Sequence, residues 1–197
     1  MKKHYATLLF FSFFQVFGVW SQDVQIFNVE DFDLKGKVKS CLVITDYGRE
    51  FFEFNEEGIL TKTITQYNDS DQDITDYRYS DGELVEKRME SYKNNVLDES
   101  TSMANFYTVD TVPMRKVMEK IISYDKQFLE KAEYQYNEEG RLVRIISSNI
   151  DGVDETTFEY TPYKNELTIS TFTNGILERS VRTSERKGPK GTQKVVL

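Results

Sequence analysis

Two stretches decide how this chain is read: Tyr136-Asn137-Glu138-Glu139-Gly140-Arg141-Leu142 and, far upstream, Phe54-Asn55-Glu56-Glu57-Gly58-Ile59-Leu60. Each runs from an aromatic through a polar bend containing Gly to a Leu that opens a new apolar run. Shorter versions are Tyr79-Ser80-Asp81-Gly82-Glu83-Leu84, Tyr92-Lys93-Asn94-Asn95-Val96-Leu97 and Phe172-Thr173-Asn174-Gly175-Ile176-Leu177. Tyr124-Asp125-Lys126-Gln127-Phe128-Leu129 keeps the frame without Gly, and Tyr160 to Leu167 is a longer variant. The pattern has the physics of a β-hairpin: Asn-Gly, Asp-Gly and Glu-Gly place Gly where the bend demands a positive φ, while the aromatic before it and the Leu after it close the strand ends across the bend. The segments between bends are rich in Thr, Ile, Val, Tyr and Phe, as strands are. Further bends at Asp69 to Gln72 and at Asp151-Gly152 bring the strand spacing to about 10–13 residues, that of an all-β meander. The expected fold class is therefore all-β: an antiparallel meander of repeated hairpins forming a curved open sheet or partial barrel.

One segment supports two readings. Pro113 suits a first helical turn, and Met114, Val117, Met118, Ile121 and Ile122 recur at helical spacing. Ile121-Ile122-Ser123-Tyr124-Asp125, however, fits the strand-then-bend frame, and a strand from about Arg115 to Tyr124 is the expectation adopted.

At Tyr136, Asn137, Gly140, Arg141 and Leu142 the chain resembles the YD-repeat (RHS-like) family, whose unit reads Tyr-Asp-x-x-Gly-Arg-Leu, with Asn in place of Asp. Tyr124-Asp125 supplies the literal dipeptide. Asp33-Leu34-Lys35-Gly36-Lys37-Val38-Lys39-Ser40 also looks like the start of the mature domain in small exported bacterial proteins of this type. The resemblance spans residues 34–183 and implies a repetitive antiparallel sheet. The chain departs from long members that carry a toxin domain, being short and irregular in unit length.

The termini set the compartment. Lys2 and Lys3 precede an apolar run from Leu8 through Val19, and Val19-Trp20-Ser21 ends in a small residue, the arrangement of a secretory signal peptide cut after Ser21. The run is shorter than the roughly 20 apolar residues of a membrane span, so no transmembrane segment is expected in the mature chain. The expected organisation is a signal peptide over 1–21, a lead-in over 22–33, the β domain over 34–183 and a flexible basic tail over 184–197. That tail holds Arg186, Lys187, Lys190 and Lys194 beside Gly188, Pro189 and Gly191. Cys41 is the sole cysteine, so burial rather than cross-linking must hold the fold. Its neighbours Val38, Leu42, Val43 and Ile44 suggest a buried small hydrophobe. The formal net charge of −8, which loss of Lys2 and Lys3 makes more negative, argues against a nucleic-acid partner.

His4 is the single histidine and falls in the signal peptide. The mature chain thus lacks the imidazole needed for Ser-His-Asp and Cys-His nucleophilic systems and for His-ligated zinc. No Gly-rich phosphate loop is present. Carboxylates remain: Glu53, Glu56, Glu57, Glu133, Glu138, Glu139 and Glu159 could serve a glycosidase-like hydrolase, which needs two acidic groups a few ångströms apart. Asp69, Asp71 and Asp73 have the first three spacings of an EF-hand, but Ile74 replaces its Gly and Ser80 its bidentate Glu. A non-EF calcium site and a plain polar hairpin loop are the two readings left for them. The abundant aromatics could stack on sugars, or could fix strand register by cross-strand packing. The functional expectation is a noncatalytic exported protein, periplasmic or at the cell surface, that binds or scaffolds a glycan or another envelope protein. A carboxylate-dependent hydrolase is the alternative.

Overall fold

The computed structural model describes residues 26–188 and 191–196, without the side chains of 185–194. The stretch read as a signal peptide lies outside the described residues. The described chain is all-β: fourteen strands join one open antiparallel sheet. They are β1 Ser40–Thr45, β2 Gly48–Phe54, β3 Leu60–Gln66, β4 Gln72–Ser80, β5 Glu83–Lys93, β6 Val96–Leu97 and β7 Met103–Asp110. They continue as β8 Lys116–Ser123, β9 Phe128–Tyr136, β10 Leu142–Asn149, β11 Gly152–Tyr163, β12 Glu166–Thr173, β13 Ile176–Gly188 and β14 Gly191–Val196. Each strand pairs with its sequence neighbours, except that the short β6 turns back on β5 and β7 then takes the next place. The ambiguous segment is strand β8, in register with both β7 and β9.

The repeated frame closes five hairpins as the sequence suggests, whereas in the two variant segments Tyr124 does not face Leu129 and Tyr160 faces Ile169 rather than Leu167, which meets Pro162. Phe54 is the register partner of Leu60, Tyr79 of Leu84, Tyr92 of Leu97, Tyr136 of Leu142 and Phe172 of Leu177. The two long bends share one hydrogen-bond plan. Asn55 Oδ1 accepts from the amides of Glu57 and Ile59 at 3.0 and 2.8 Å, and Asn137 Oδ1 accepts from those of Glu139 and Arg141 at 3.0 and 2.9 Å. Gly58 and Gly140 follow with φ of 81° and 72°, a left-handed conformation that an L side chain resists.

Four of these hairpins carry a β-bulge one residue beyond the Leu, at Thr61, Val85, Val143 and Glu178. An extra residue shifts the alternation by one, which brings Leu60, Leu84 and Leu142 onto the face that their aromatic partners occupy. A bulge also interrupts the ladder and leaves a backbone group in need of a partner. Tyrosines from the following repeat supply it: Tyr79 Oη donates to the Leu60 carbonyl at 2.7 Å, and Tyr160 Oη donates to the Leu142 carbonyl at 2.7 Å. The first and third of these bulges are thereby pinned to a following strand.

The core lies on this aromatic face, where Val117, Ala132, Tyr134, Tyr136, Leu142, Ile145 and Phe158 form one buried cluster with Tyr107, Val109 and Tyr160 packed against it. At the start of the sheet the lead-in provides cover. A 3-10 turn at Val29–Phe32 places Phe32 against Phe52 and Phe54, with ring centroids 4.8 and 5.5 Å apart. Backbone bonds from Val29 to the Gly58 carbonyl and from Leu60 to the Phe27 carbonyl, each 2.9 Å, tie the lead-in to the first long bend.

Two expectations are corrected. The stretch read as a flexible tail is paired: β13 runs to Gly188 and returns as β14, in register from Thr183–Val196 to Gly188–Gly191. The glycines that weaken a strand interior sit at the hairpin's end, where they do not interrupt the ladder. Cys41 is half-buried rather than enclosed, because β1 is the first strand of the sheet and its neighbours Leu42, Val43 and Ile44 are exposed.

Candidate binding face

Alternation along the strands separates the aromatic face from a charged one. In the register of β2 to β5, Glu53 stands opposite Lys62, Lys62 opposite Asp76, and Asp76 opposite Arg88. Four neighbouring strands thus present a row of alternating sign, the arrangement that cross-strand pairing favours. Lys62 bridges to Asp76 at 3.0 Å. One step along the strands, Glu86 accepts from Arg78 at 2.9 Å and from the Arg88 fork at 3.0 and 2.7 Å. These groups, with Thr61 and Tyr77, line a shallow cleft of about 470 Å³. The Glu86 side chain is 9% exposed while that of Arg78 is 75% exposed, so the carboxylate is an anchor and the guanidinium faces solvent. The charged face continues on the later strands through Lys116–Glu133 at 3.2 Å and Arg144–Glu155 at 2.7 Å. A hydrogen bond from Gln135, then Lys116, holds Glu133 below the usual carboxylate range.

The other face carries a different acidic centre. Glu119, buried on β8, accepts from Tyr107 Oη at 2.8 Å, Asn105 Nδ2 at 2.7 Å and Tyr134 Oη at 2.6 Å. The register explains the geometry: Tyr107 is the direct partner of Glu119 on β7, and the small Ala132 opposite it on β9 leaves room for the carboxylate. Burial first, and Glu119 second, raise the Tyr107 and Tyr134 phenols well above the ordinary tyrosine range. Burial also pushes Tyr79 up to about 12. Sequence reasoning missed both Glu86 and Glu119. The available signal was a glutamate at a core-facing position between Val117 and Ile121.

Asp69, Asp71 and Asp73 do not form a cage. Asp71 accepts from Asn68 Nδ2 at 2.8 Å and from the Asn94 amide at 2.8 Å, which lower its pKa in that order. Asp73 accepts from Tyr67 Oη at 2.7 Å and Ser91 Oγ at 2.5 Å, whereas Asp69 is exposed at the loop tip. Among the described residues no three His, Cys, Asp or Glu side chains group in a way that could hold a metal ion. The Asp71 and Asp73 oxygens fix the β3–β4 bend and tie it to β5.

The glutamates considered for hydrolysis are dispersed. Glu53 lies in the charged row on β2, and Glu56 and Glu57 are in the first long bend. Glu138 and Glu139 are in the second long bend, Glu133 is on β9 and Glu159 on β11. The buried glutamates Glu86 and Glu119 point from opposite faces, and each is occupied by its own donors. Exposed aromatic rings at Tyr47, Tyr67, Tyr124, Phe128 and Tyr163 sit at strand ends and bends, while Phe106 is exposed mid-strand on β7 opposite Glu86, so these rings do not form one continuous stacking face.

The fold and its punctuation define a class: a meander of bulged hairpins in one open antiparallel sheet, two of whose bulge carbonyls accept from tyrosines of a later strand. Comparison with protein-family models, with curated proteins and with solved structures returns no match. No described helix is long and apolar enough to cross a membrane.

Proposed function

We propose that this chain is a noncatalytic, exported β-repeat protein that acts at the cell envelope as a binding or scaffolding module. The supporting observation is the charged face: an alternating row on β2 to β5, anchored by Glu86 and with Arg78 exposed, offers a partner paired donors and acceptors at the strand spacing of about 4.8 Å. Such a surface matches the polar groups of a glycan or of another envelope protein better than it matches a reaction centre. The amino-terminal pattern supports export, and the Tyr-x-x-x-Gly-Arg-Leu frame supports kinship in design with YD-repeat proteins.

Two measurements test the reading. Amino-terminal sequencing of the protein recovered from its native host places the mature start at Gln22 and the protein in the envelope or the medium. A pull-down from solubilised envelope, run beside a glycan array, returns a partner that is lost when Lys62 and Arg78 are both changed to Glu. A cytoplasmic, uncleaved protein would overturn the localisation. Polysaccharide hydrolysis abolished by Glu53→Gln would overturn the noncatalytic role.

A further inference from the structure

We infer that the chain forms a two-fold dimer by antiparallel pairing of β1 with β1 of a second copy. Among the described residues β1 has β2 as its single neighbour and stands at the end of the open sheet. The Phe54 amide bonds the Lys39 carbonyl at 2.9 Å, which marks residues 39, 41, 43 and 45 as the positions hydrogen-bonded to β2. The amides and carbonyls of Ser40, Leu42 and Ile44 therefore point to the free side. Such a row is a template for strand addition.

The two ends of the sheet are not alike. The sequence of β14, Gly191–Val196, includes a lysine, Lys194, a residue type common on natural edge strands. β1, Ser-Cys-Leu-Val-Ile-Thr, has no charge and no proline, and it exposes Leu42 at 53% and Ile44 at 70%. The unprotected end is thus also an apolar one.

A second copy satisfies this edge better than an unrelated strand because the edge is self-complementary. Outward-pointing residues must pair with outward-pointing residues, so a two-fold axis at Leu42 sets Leu42 opposite Leu42 and Ser40 opposite Ile44. On the other face Cys41 then meets Val43. Lys35, Lys37 and Lys39 precede the strand and Asp46 follows it, so antiparallel pairing also brings the basic end of one copy to the acidic end of the other. A parallel β1–β14 contact would lack this match and would propagate into a filament rather than close.

The test is cysteine cross-linking in the purified full-length mature protein, with light-scattering mass as a second readout. In a Cys41→Ser background, Leu42→Cys places two thiols directly opposite each other, within the Cα separation of about 4.4–6.8 Å that a disulfide requires, whereas Ile44→Cys places its thiols several residues apart. Oxidation should cross-link Leu42→Cys at least about tenfold more than Ile44→Cys. Light scattering should give twice the chain mass for the unmodified protein and a single chain for Leu42→Lys, with circular dichroism of the variant unchanged. A monomer throughout the micromolar range, equal cross-linking at both positions, or a mass that keeps growing with concentration would each overturn the inference.

Discussion

Replacing Glu119 by Ala removes the acceptor for Asn105, Tyr107 and Tyr134 in one step. Hydrogen bonds to a charged acceptor contribute about 1.5–3 kcal/mol each, but the net cost depends on whether the stranded donor can reach water. Asn105 and Tyr107 are half-buried and can turn toward solvent, whereas Tyr134 is buried and cannot. The expected loss is about 3–5 kcal/mol, most of it from the Tyr134 phenol. The same change in a Tyr107→Phe/Tyr134→Phe background strands no phenol and should cost less than about 1 kcal/mol. Urea unfolding followed by far-ultraviolet circular dichroism measures the four corners of this cycle, and amide exchange across β7 to β9 shows where protection is lost. Equal costs in the two backgrounds, within about 0.5 kcal/mol, would refute the claim that Glu119 acts as the shared acceptor of the core.

Tyr79→Phe and Tyr160→Phe each delete one bond to a bulge carbonyl, so denaturant unfolding should show losses of about 1 kcal/mol that agree with each other. Gly48→Ala should be far worse than Gly175→Ala. A Cβ at Gly48 would lie 2.2 Å from the Gln66 carbonyl oxygen, whereas at Gly175 nothing stands within 4 Å and only the left-handed φ of 79° opposes the change. The expected costs are about 3 kcal/mol or more against about 1–2 kcal/mol, measured by thermal or urea unfolding. Arg115 holds the Glu83 carboxyl below its ordinary 4.5, with bonds of 2.6 and 2.8 Å. A depressed carboxylate stabilises above its unfolded pKa and loses that contribution as pH falls through the folded value. Glu83→Gln should therefore cost about 0.5–1 kcal/mol at pH 7, with the difference from the unmodified protein shrinking as pH falls below the ordinary 4.5.

Much of the architecture is legible in local chemistry. The spacing of bends, the β-branched and aromatic segments between them, and the aromatic–Leu closure at Phe54–Leu60 and Tyr136–Leu142 are all short-range consequences of turn geometry and strand alternation. Even β8 could be assigned, because Ile121 to Asp125 carried the same frame as its neighbours. Three features were decided by tertiary structure. The bulges at Thr61, Val85 and Val143 depend on how two strands pair, and no alternation within one strand announces which face the next Leu will occupy. The Glu119 centre joins residues from β7, β8 and β9 whose proximity is a matter of register, so the single glutamate reads in isolation as another polar residue. The final hairpin forms because β12 offers an unpaired edge to β13, and β13 in turn to β14. Composition weighed the basic residues and glycines there as solvated chain, whereas a neighbouring strand supplies the hydrogen-bond partners that make them sheet.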